Sequence, residues 1–574
     1  MKSLLIKNLK DVTNLNEETI DKNLLPPKDF KNGDFSFPCF MIAKSQGVDP
    51  KTCAENISKK IVLPKEFEKV VAVGPYLNFY LDRERLSKNV ISEILKKGED
   101  FAKGEDKKKN IVIDYAAYNI AKQLHVGHLR TTFIGHALQR IFKYLGYNVI
   151  AINYLGDWGT QFGFVYAGSQ IWGKPETADV DNLVDIYVKA TRLRKEQDAG
   201  EVKEEDKDKP NVNEMARDYF KRLEAGDKEA IEFWLWCREG ALKYIYDVEK
   251  RFGLEFDSHD GEAFFNNKMH TVEQMLRDSG ALVESQGALG IDLGEEKGFA
   301  RIFAPDGRSL YLTRDIAAAF YRERMYNPES IIYVVAAQQN LHFKQLVGTI
   351  EKLDEKLSKK IKHVSFGFVP GMKTREGGAI SLKDYLNESH KRALEVYQNE
   401  VSVKPDGIDE EEIAEKVSIG ASYFYFLSVS NNKDLHFNWK EVLTFQGDSG
   451  PYLQYAVARI NSIISKANSE GISIAENENI ETSCFKDDDS FHLISLLSKF
   501  KETIQKASES YEPSVVSNYV LEVSKAFSKV YRTHRVIGEE NKNISKANLA
   551  LFTATRAVLS KGLYLIGVPV IERM

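Results

Sequence analysis

The stretch IVIDYAAYNIAKQLHVGHLRTTFIGHALQRIFKYLGYNVI, Ile111 to Ile150, decides the fold. IVIDY is short and β-branched, which predicts a strand. Leu129, Phe133, Ile134, Ala137, Leu138, Ile141, Phe142 and Leu145 recur with a 3.6-residue period, which predicts an amphipathic helix. Gly146 stands where a helix C-terminal glycine belongs, and NVIAINYL reads as the next strand. Strand, helix and strand make a βαβ unit. Between the first strand and the helix sits HVGH, with His125, Gly127 and His128. The quartet is open to three readings: metal ligands, phosphate donors, or plain helix-start residues. Zinc histidines on a helix usually stand four apart with a nearby carboxylate, and that carboxylate is missing here. A helix N-terminus beside a parallel strand offers free N–H groups and a partial positive charge, which favours phosphate. Gly127 removes a side chain where a nucleotide would lie against the backbone.

Working outward, SIIYVVAA (330–337) and HVSFGFV (363–369) are strand-like with a helical stretch between them, so the alternation predicts a doubly wound parallel sheet. Three breaks punctuate the chain: the charged run 96–110, the mixed-charge segment 193–210, read as a solvated helix or surface insertion, and SVKPDGIDEEE at 402–412. Beyond residue 412, long helical patterns such as SVVSNYVLEVSKAFSKVYRTHRVI dominate. The expected fold class is α/β: a Rossmann-like catalytic domain at 106–400, a small N-terminal α+β domain at 1–105 and an all-α helical bundle at 401–574. No internal repeat is found.

A chain of 574 residues with 43% hydrophobic and 28% charged residues is a soluble globular protein of several domains. No apolar run approaches the roughly 18 residues that a membrane helix needs, and the N-terminus turns polar too soon for a secretory signal. The four cysteines are scattered, without a Cys-x-x-Cys pair, which suits a reducing cytosol and argues against a zinc ribbon. A net charge of -5 neither proposes nor excludes RNA. Neither a G-x-G-x-x-G fingerprint nor a P-loop follows the first strand, which weakens dehydrogenase and P-loop readings.

The ordered set of segments resembles the class I aminoacyl-tRNA synthetases, and specifically the arginyl-tRNA synthetase family. It comprises NIAKQLHVGHLRTTFIGHAL, NYLGDWGTQFG, YLTRDIAAAF, IIYVVAAQQNLHF, GMKTREGG, GPYLQYAVARI and GVPVIERM, which span nearly the whole chain in order. The resemblance implies ATP-dependent ligation of L-arginine to tRNA(Arg) through an arginyl-adenylate, by a cytoplasmic monomer. Mg²⁺ is expected to travel with ATP, with no protein-bound metal and no membrane partner. Matched residue by residue, Asp114, Asn119, Tyr311, Asp315 and Gln339 fall on arginine-binding positions, Asp114 standing where glutamate is usual. A guanidinium wants carboxylates, because charge-assisted bidentate pairing supplies energy and geometry together.

The second signature loop reads GMKTREGG, with Glu376 where the family's important lysine stands. Arginyl enzymes lacking that lysine commonly carry one before the histidine motif, and Lys122 fills that place. Catalysis is therefore expected from His125, His128 and Lys122, with ATP also held by Gly127, Met372, Lys373 and Arg375. Tyr452, Tyr455, Arg459, Tyr531 and Met574 match anticodon-side contacts, and Asn78 and Phe79 match contacts to the tRNA elbow. The competing expectations are a cysteinyl- or glutamyl-type synthetase and a non-catalytic tRNA-binding paralogue, the latter favoured only by Glu376.

Overall fold

A computed structural model describes the chain apart from residues 1, 28, 30–31, 121–122, 286, 305–309, 370–379, 402–406, 446 and 476–477, and the side chains of 400 and 440. Lys122, Met372, Lys373, Arg375 and Glu376 lie outside the described residues. The chain divides into two compact units, Met1–Phe101 with Ile460–Phe500 and Glu522–Leu559, and Ala102–Arg459 with Lys501–Leu521 and Ser560–Met574.

The first unit holds a small antiparallel sheet of β1 (Phe35–Pro38), β2 (Phe67–Val73) and β3 (Tyr76–Leu81), ordered β1-β3-β2. Gly74 and Pro75 supply the turn between β2 and β3, with Gly74 at φ 57°. Within the same unit, Arg83 lies 4.5 Å over the Phe491 ring and pairs with Asp488 at 2.9 Å, joining helices far apart in sequence.

The second unit carries the parallel sheet anticipated from Ile111 onward. Its strands are β4 (Asn110–Asp114), β5 (Asn148–Ile152), β9 (Ser330–Ala336) and β10 (Ile361–Phe366), ordered β10-β9-β4-β5 with every pair parallel. A second, antiparallel sheet of β6 (Leu282–Ser285), β7 (Ala288–Asp292) and β8 (Phe299–Phe303) shares a core with it through Ile302, Ile316 and Ile331. The helix His128–Tyr144 follows the expected apolar period, yet it is buried on nearly every side rather than on one stripe. The reason is a partner across from the sheet. Tyr423, on the helix Glu410–Leu427, stacks 4.0 Å from Phe133, and its hydroxyl lies 2.6 Å from His136 Nδ1. One of the helix's buried hydroxyls is partnered twice. Thr131 donates to the Val334 carbonyl at 2.7 Å and accepts the Ala116 N–H at 3.2 Å, so one hydroxyl ties the ends of β4 and β9.

Gly146 has φ 87°, and its missing side chain lets the Glu105 carbonyl come within 1.9 Å of where a Cβ would stand. The segment 193–210 begins in the helix Val180–Ala199 and ends in a loop whose Asp206 is buried against Arg192 and Lys209. It is thus anchored by a buried carboxylate rather than simply solvated.

Two alanines beyond β4, Ala116 and Ala117, are left-handed, at φ 71° and 49°. Such a backbone costs an alanine roughly 1–2 kcal/mol over a glycine. Ala117 is exposed, so its Cβ contributes no core packing. Ala117→Gly is therefore expected to stabilise the catalytic unit by about 1 kcal/mol, read as a higher thermal midpoint. A lowered midpoint would contradict the strain.

Candidate active site

Ligands of open parallel sheets bind beyond the carboxyl ends of the strands, where the chain changes direction. Here β4 and β9 end together, and HVGH starts the helix beside them. The imidazoles of His125 and His128 lie 4.1 Å apart, centroid to centroid. The Gly127 N–H donates to His125 Nδ1 at 3.1 Å, and the His125 N–H donates to His128 Nδ1 at 3.1 Å. His125 Nδ1 accepts from backbone, which in the neutral ring puts its proton on Nε2 as a donor, while His128 Nδ1 lies 3.1 Å from both the N–H and the carbonyl of His125. A Cβ on residue 127 would stand 2.8 Å from the His125 ring, so glycine lets the imidazole fold back over the turn. Burial, aided by the neighbouring His125, pulls His128 down to about 4, so it stays neutral near pH 7.

The second half of the site is acidic. Tyr311 and Asp315 open the helix Tyr311–Tyr326 one turn apart. Asp315 accepts from His342 Nε2 at 2.8 Å, and the His342 ring lies 5.0 Å from that of Tyr311. The Asp315 carboxylate, then burial and Glu262, raise the Tyr311 phenol, which keeps its hydroxyl a donor. Glu262 pairs with Arg314 at 3.2 Å, and burial pushes its carboxyl up to about 7 against the pull of Arg314. Gln339 ends the turn after β9. Asn119 bridges in parallel fashion to Gly156, just past the end of β5.

Asp114 departs from the expectation. Its carboxylate lies 2.7 Å from Arg322 Nη2, on the same helix as Tyr311 and Asp315, and both members of the pair are buried. Arg322 sits 5.4 Å from the Tyr154 ring and 5.1 Å from the Tyr333 ring. Burial pushes the Asp114 carboxyl up and the guanidinium pulls it back. Since an arginine does not give up its proton, the pair stays ionised. Asp114 is thus satisfied by the chain's own arginine instead of facing a substrate.

Two nucleic-acid candidates are corrected by burial. Phe79 is fully buried, edge-on to Phe67 at 6.4 Å, so it offers no face for stacking. Met574 packs into a core with Tyr397, Val417 and Val442. Asn78 is also buried and accepts from the Ser36 hydroxyl at 2.8 Å. Tyr452, Tyr455 and Arg459 are partly exposed along the helix Gly450–Ser469, and Arg459 donates to the Tyr455 hydroxyl at 3.2 Å. Tyr531 is partly exposed and lies 6.0 Å from Phe527.

Sequence reasoning passes over His342, Glu262, Arg314 and Arg322. His342 carries a weak signal, three residues past Gln339 in AAQQNLHF, and Arg322 lies on the helical face of Tyr311 and Asp315. Glu262 carries none, since only tertiary packing brings it to Asp315.

A parallel sheet, a histidine turn at its switch point and a helical C-terminal region define a class I aminoacyl-tRNA synthetase. The family model for "tRNA synthetases class I (R), catalytic domain" matches residues 90–439. That for "Arginyl tRNA synthetase N terminal domain" matches 1–81, and that for "DALR anticodon binding domain" matches 453–574. Relatives named arginine–tRNA ligase from Clostridium perfringens and Halothermothrix orenii are each 38% identical, over 100% and 98% of both chains respectively. The arginyl-tRNA synthetase of Thermus thermophilus superposes with a TM-score of 0.80 at 24% identity, covering 100% of both chains. That of Plasmodium falciparum gives 0.78 at 22% identity, covering 100% of this chain and 99% of the other. The chain belongs to the arginyl-tRNA synthetases.

The depressed His128 makes a pH prediction. Its unfolded imidazole protonates near 6.5, the folded one only near 4. Unfolded chain therefore binds more protons between those values, and the stability present above about pH 6.5 is lost as pH falls towards 4. His128→Gln should flatten the fall of the thermal midpoint across that window relative to the unsubstituted protein. An unchanged slope would refute the assignment.

Proposed function

We propose that the chain activates L-arginine with ATP at the ends of β4 and β9, then transfers it to its cognate tRNA(Arg). What supports this reading is a histidine turn opening the helix His128–Tyr144 beyond β4, and an acidic group, Asp315 and Glu262 with Tyr311. In the first step a carboxylate oxygen of arginine attacks the α-phosphorus in line, and pyrophosphate leaves. In the second, a terminal ribose hydroxyl of the tRNA attacks the arginyl carbonyl, and AMP leaves.

Positioning and electrostatics carry such chemistry, with no covalent bond to the protein. His125 and His128 donate to phosphate oxygens, and Gly127 leaves room for the nucleotide. Lys122 neutralises the charge developing on the phosphates, assisted by Lys373 or Arg375, with Met372 against the nucleotide. Mg²⁺ arrives with ATP as part of the substrate. The substrate guanidinium pairs with Asp315 and Glu262 and takes the Tyr311 hydroxyl region. Asn119 and Gln339 meet the α-amino acid's polar groups. Asp114 acts one step back, by holding Arg322. Tyr452, Tyr455, Arg459 and Tyr531 are the tRNA-facing candidates that remain partly exposed. Four cysteines without a disulfide are in keeping with a cytoplasmic monomer.

The direct test is ATP–pyrophosphate exchange with arginine and tRNA(Arg) present. Exchange that requires both supports the reading, and none with cognate tRNA would sink it. In the same assay Lys122→Ala should cut the rate about a hundredfold or more, as loss of a charge at the reacting phosphates does. Near-intact exchange would remove Lys122 from the mechanism.

The raised Glu262 gives a second expectation. Below about pH 7 its carboxyl is protonated in the empty site, and a neutral acid gives a guanidinium little attraction. The KM for arginine should therefore rise as pH falls from about 8 to about 6, by at most about tenfold per unit. Glu262→Gln should flatten that profile, which steady-state aminoacylation across the range will read.

A further inference from the structure

Asp157 has no part in the mechanism above, yet its carboxylate is 1% exposed and fully engaged. Oδ1 accepts the Ala263 N–H at 2.8 Å, and Oδ2 accepts from Arg238 Nε at 3.0 Å. Its carbonyl takes the Trp234 indole N–H at 2.7 Å. Trp234 and Arg238 both belong to the helix Lys228–Phe252. The Glu262 N–H donates to the Leu155 carbonyl at 2.9 Å. Between these two bonds, a Cβ on Gly261 would stand 2.2 Å from that carbonyl and 2.6 Å from Asp157 Oδ1, so the approach tolerates only glycine. The backbone on both sides of Glu262 is therefore clamped to the segment Leu155–Asp157 beyond β5, while its side chain meets Arg314, the residue before Asp315.

We propose that Asp157 is a positioning residue for arginine recognition, fixing the Glu262 carboxylate beside Asp315 and linking it through Arg238 to the helix Lys228–Phe252. The inference rests on the acidic-pocket reading of Glu262. A carboxylate that must meet a planar fork gains its energy only at the right angle and distance. An error of an ångström from a residue that touches no substrate is enough to weaken recognition. Because the phosphates lie with the histidine turn and not with Glu262, the effect should fall on arginine and spare ATP.

Aminoacylation kinetics of Asp157→Asn, Glu262→Gln and the double variant, each checked for an unchanged circular dichroism spectrum, test this. Asn keeps one acceptor and loses the charge. Asp157→Asn is expected to raise the arginine KM about tenfold with the ATP KM unmoved. The double variant should match Glu262→Gln alone, since the two substitutions then remove one interaction. Additive losses, or equal rises in both KM values, overturn the proposal. If Glu262→Gln leaves the arginine KM unchanged, the pocket reading itself fails, and the proposal with it. If Glu262→Gln raises it but Asp157→Asn does not, the pocket stands and only the positioning role falls. Should Asp157→Asn fail to fold, Arg238→Gln, at a side chain 26% exposed, is expected to raise the arginine KM about threefold. No rise with that variant overturns the proposal.

Discussion

A short backbone ladder between two distant segments holds the site together. The Val126 N–H donates to the Ile380 carbonyl at 3.2 Å, the Leu382 N–H donates to the Leu124 carbonyl at 2.8 Å, and His125 bridges Ser381 between them. The histidine turn is thereby fixed to the chain that emerges from the second signature segment. The entry side of that segment is held as well. The Gly367 N–H donates to the Asn431 carbonyl at 2.8 Å, and the Phe368 N–H donates to Asp434 at 2.8 Å. Arg130, two residues past His128, donates from Nη2 to the Ser430 and Asn431 carbonyls at 3.1 and 3.0 Å. One helix start thus ties to the chain on both sides of the second signature segment. Main-chain bonds suit this task, since side-chain substitution leaves them in place.

The acidic side obeys a different constraint, which is charge balance in a poorly solvated space. An isolated buried carboxylate would take up a proton rather than stay charged. Each acid here has a partner that prevents or limits that: Arg322 for Asp114, His342 for Asp315, Arg314 for Glu262. The partners differ in strength. Arg322 is a permanent cation sealed against Asp114. Glu262, held up at about 7, is left incompletely compensated. An incompletely compensated carboxylate is where an incoming guanidinium gains most, because binding itself supplies the missing charge.

Much of this is legible in local sequence pattern. The strand of Ile111, the period of His128–Tyr144 and the glycine at 146 are short-range signals, and each element forms where they point. The antiparallel sheet β6–β8 is not legible, because its strands are four or five residues long and interrupted by Gly290. Neither is the all-round burial of the helix His128–Tyr144, because the covering Tyr423 comes from far along the chain. For the site, residue types in order place Tyr311 and Asp315 correctly on one helical turn. What order cannot give is which way a side chain is satisfied. In sequence Asp114 has the character of a substrate ligand, and only the fold brings Arg322 onto it. Phe79 is matched to a tRNA contact by resemblance alone, its place in a strand is equally that of a core residue, and the fold makes it core. Glu262 is invisible, since its proximity to Asp315 arises from the packing of extended Gly261 against Leu155 and Asp157 and from nothing in the local sequence.

The buried Arg322 bears on how the pocket distinguishes arginine from lysine. It places a resident guanidinium between two tyrosine rings, matched to Asp114, directly behind the recognition residues of its own helix. That pair neutralises itself, so the substrate does not see Asp114 as charge. In the proposed pocket, Asp315, Glu262 and the Tyr311 hydroxyl are left for the substrate. A planar fork presents five donors in a fixed geometry that matches a carboxylate bidentately, whereas an ammonium is a compact charge with three rotatable donors. Lysine would meet the same acids without bidentate geometry, each carboxylate keeping the partner it already has, His342 or Arg314. Selectivity in the proposed pocket then comes less from attraction, which both cations share, than from the planar geometry that only a guanidinium matches.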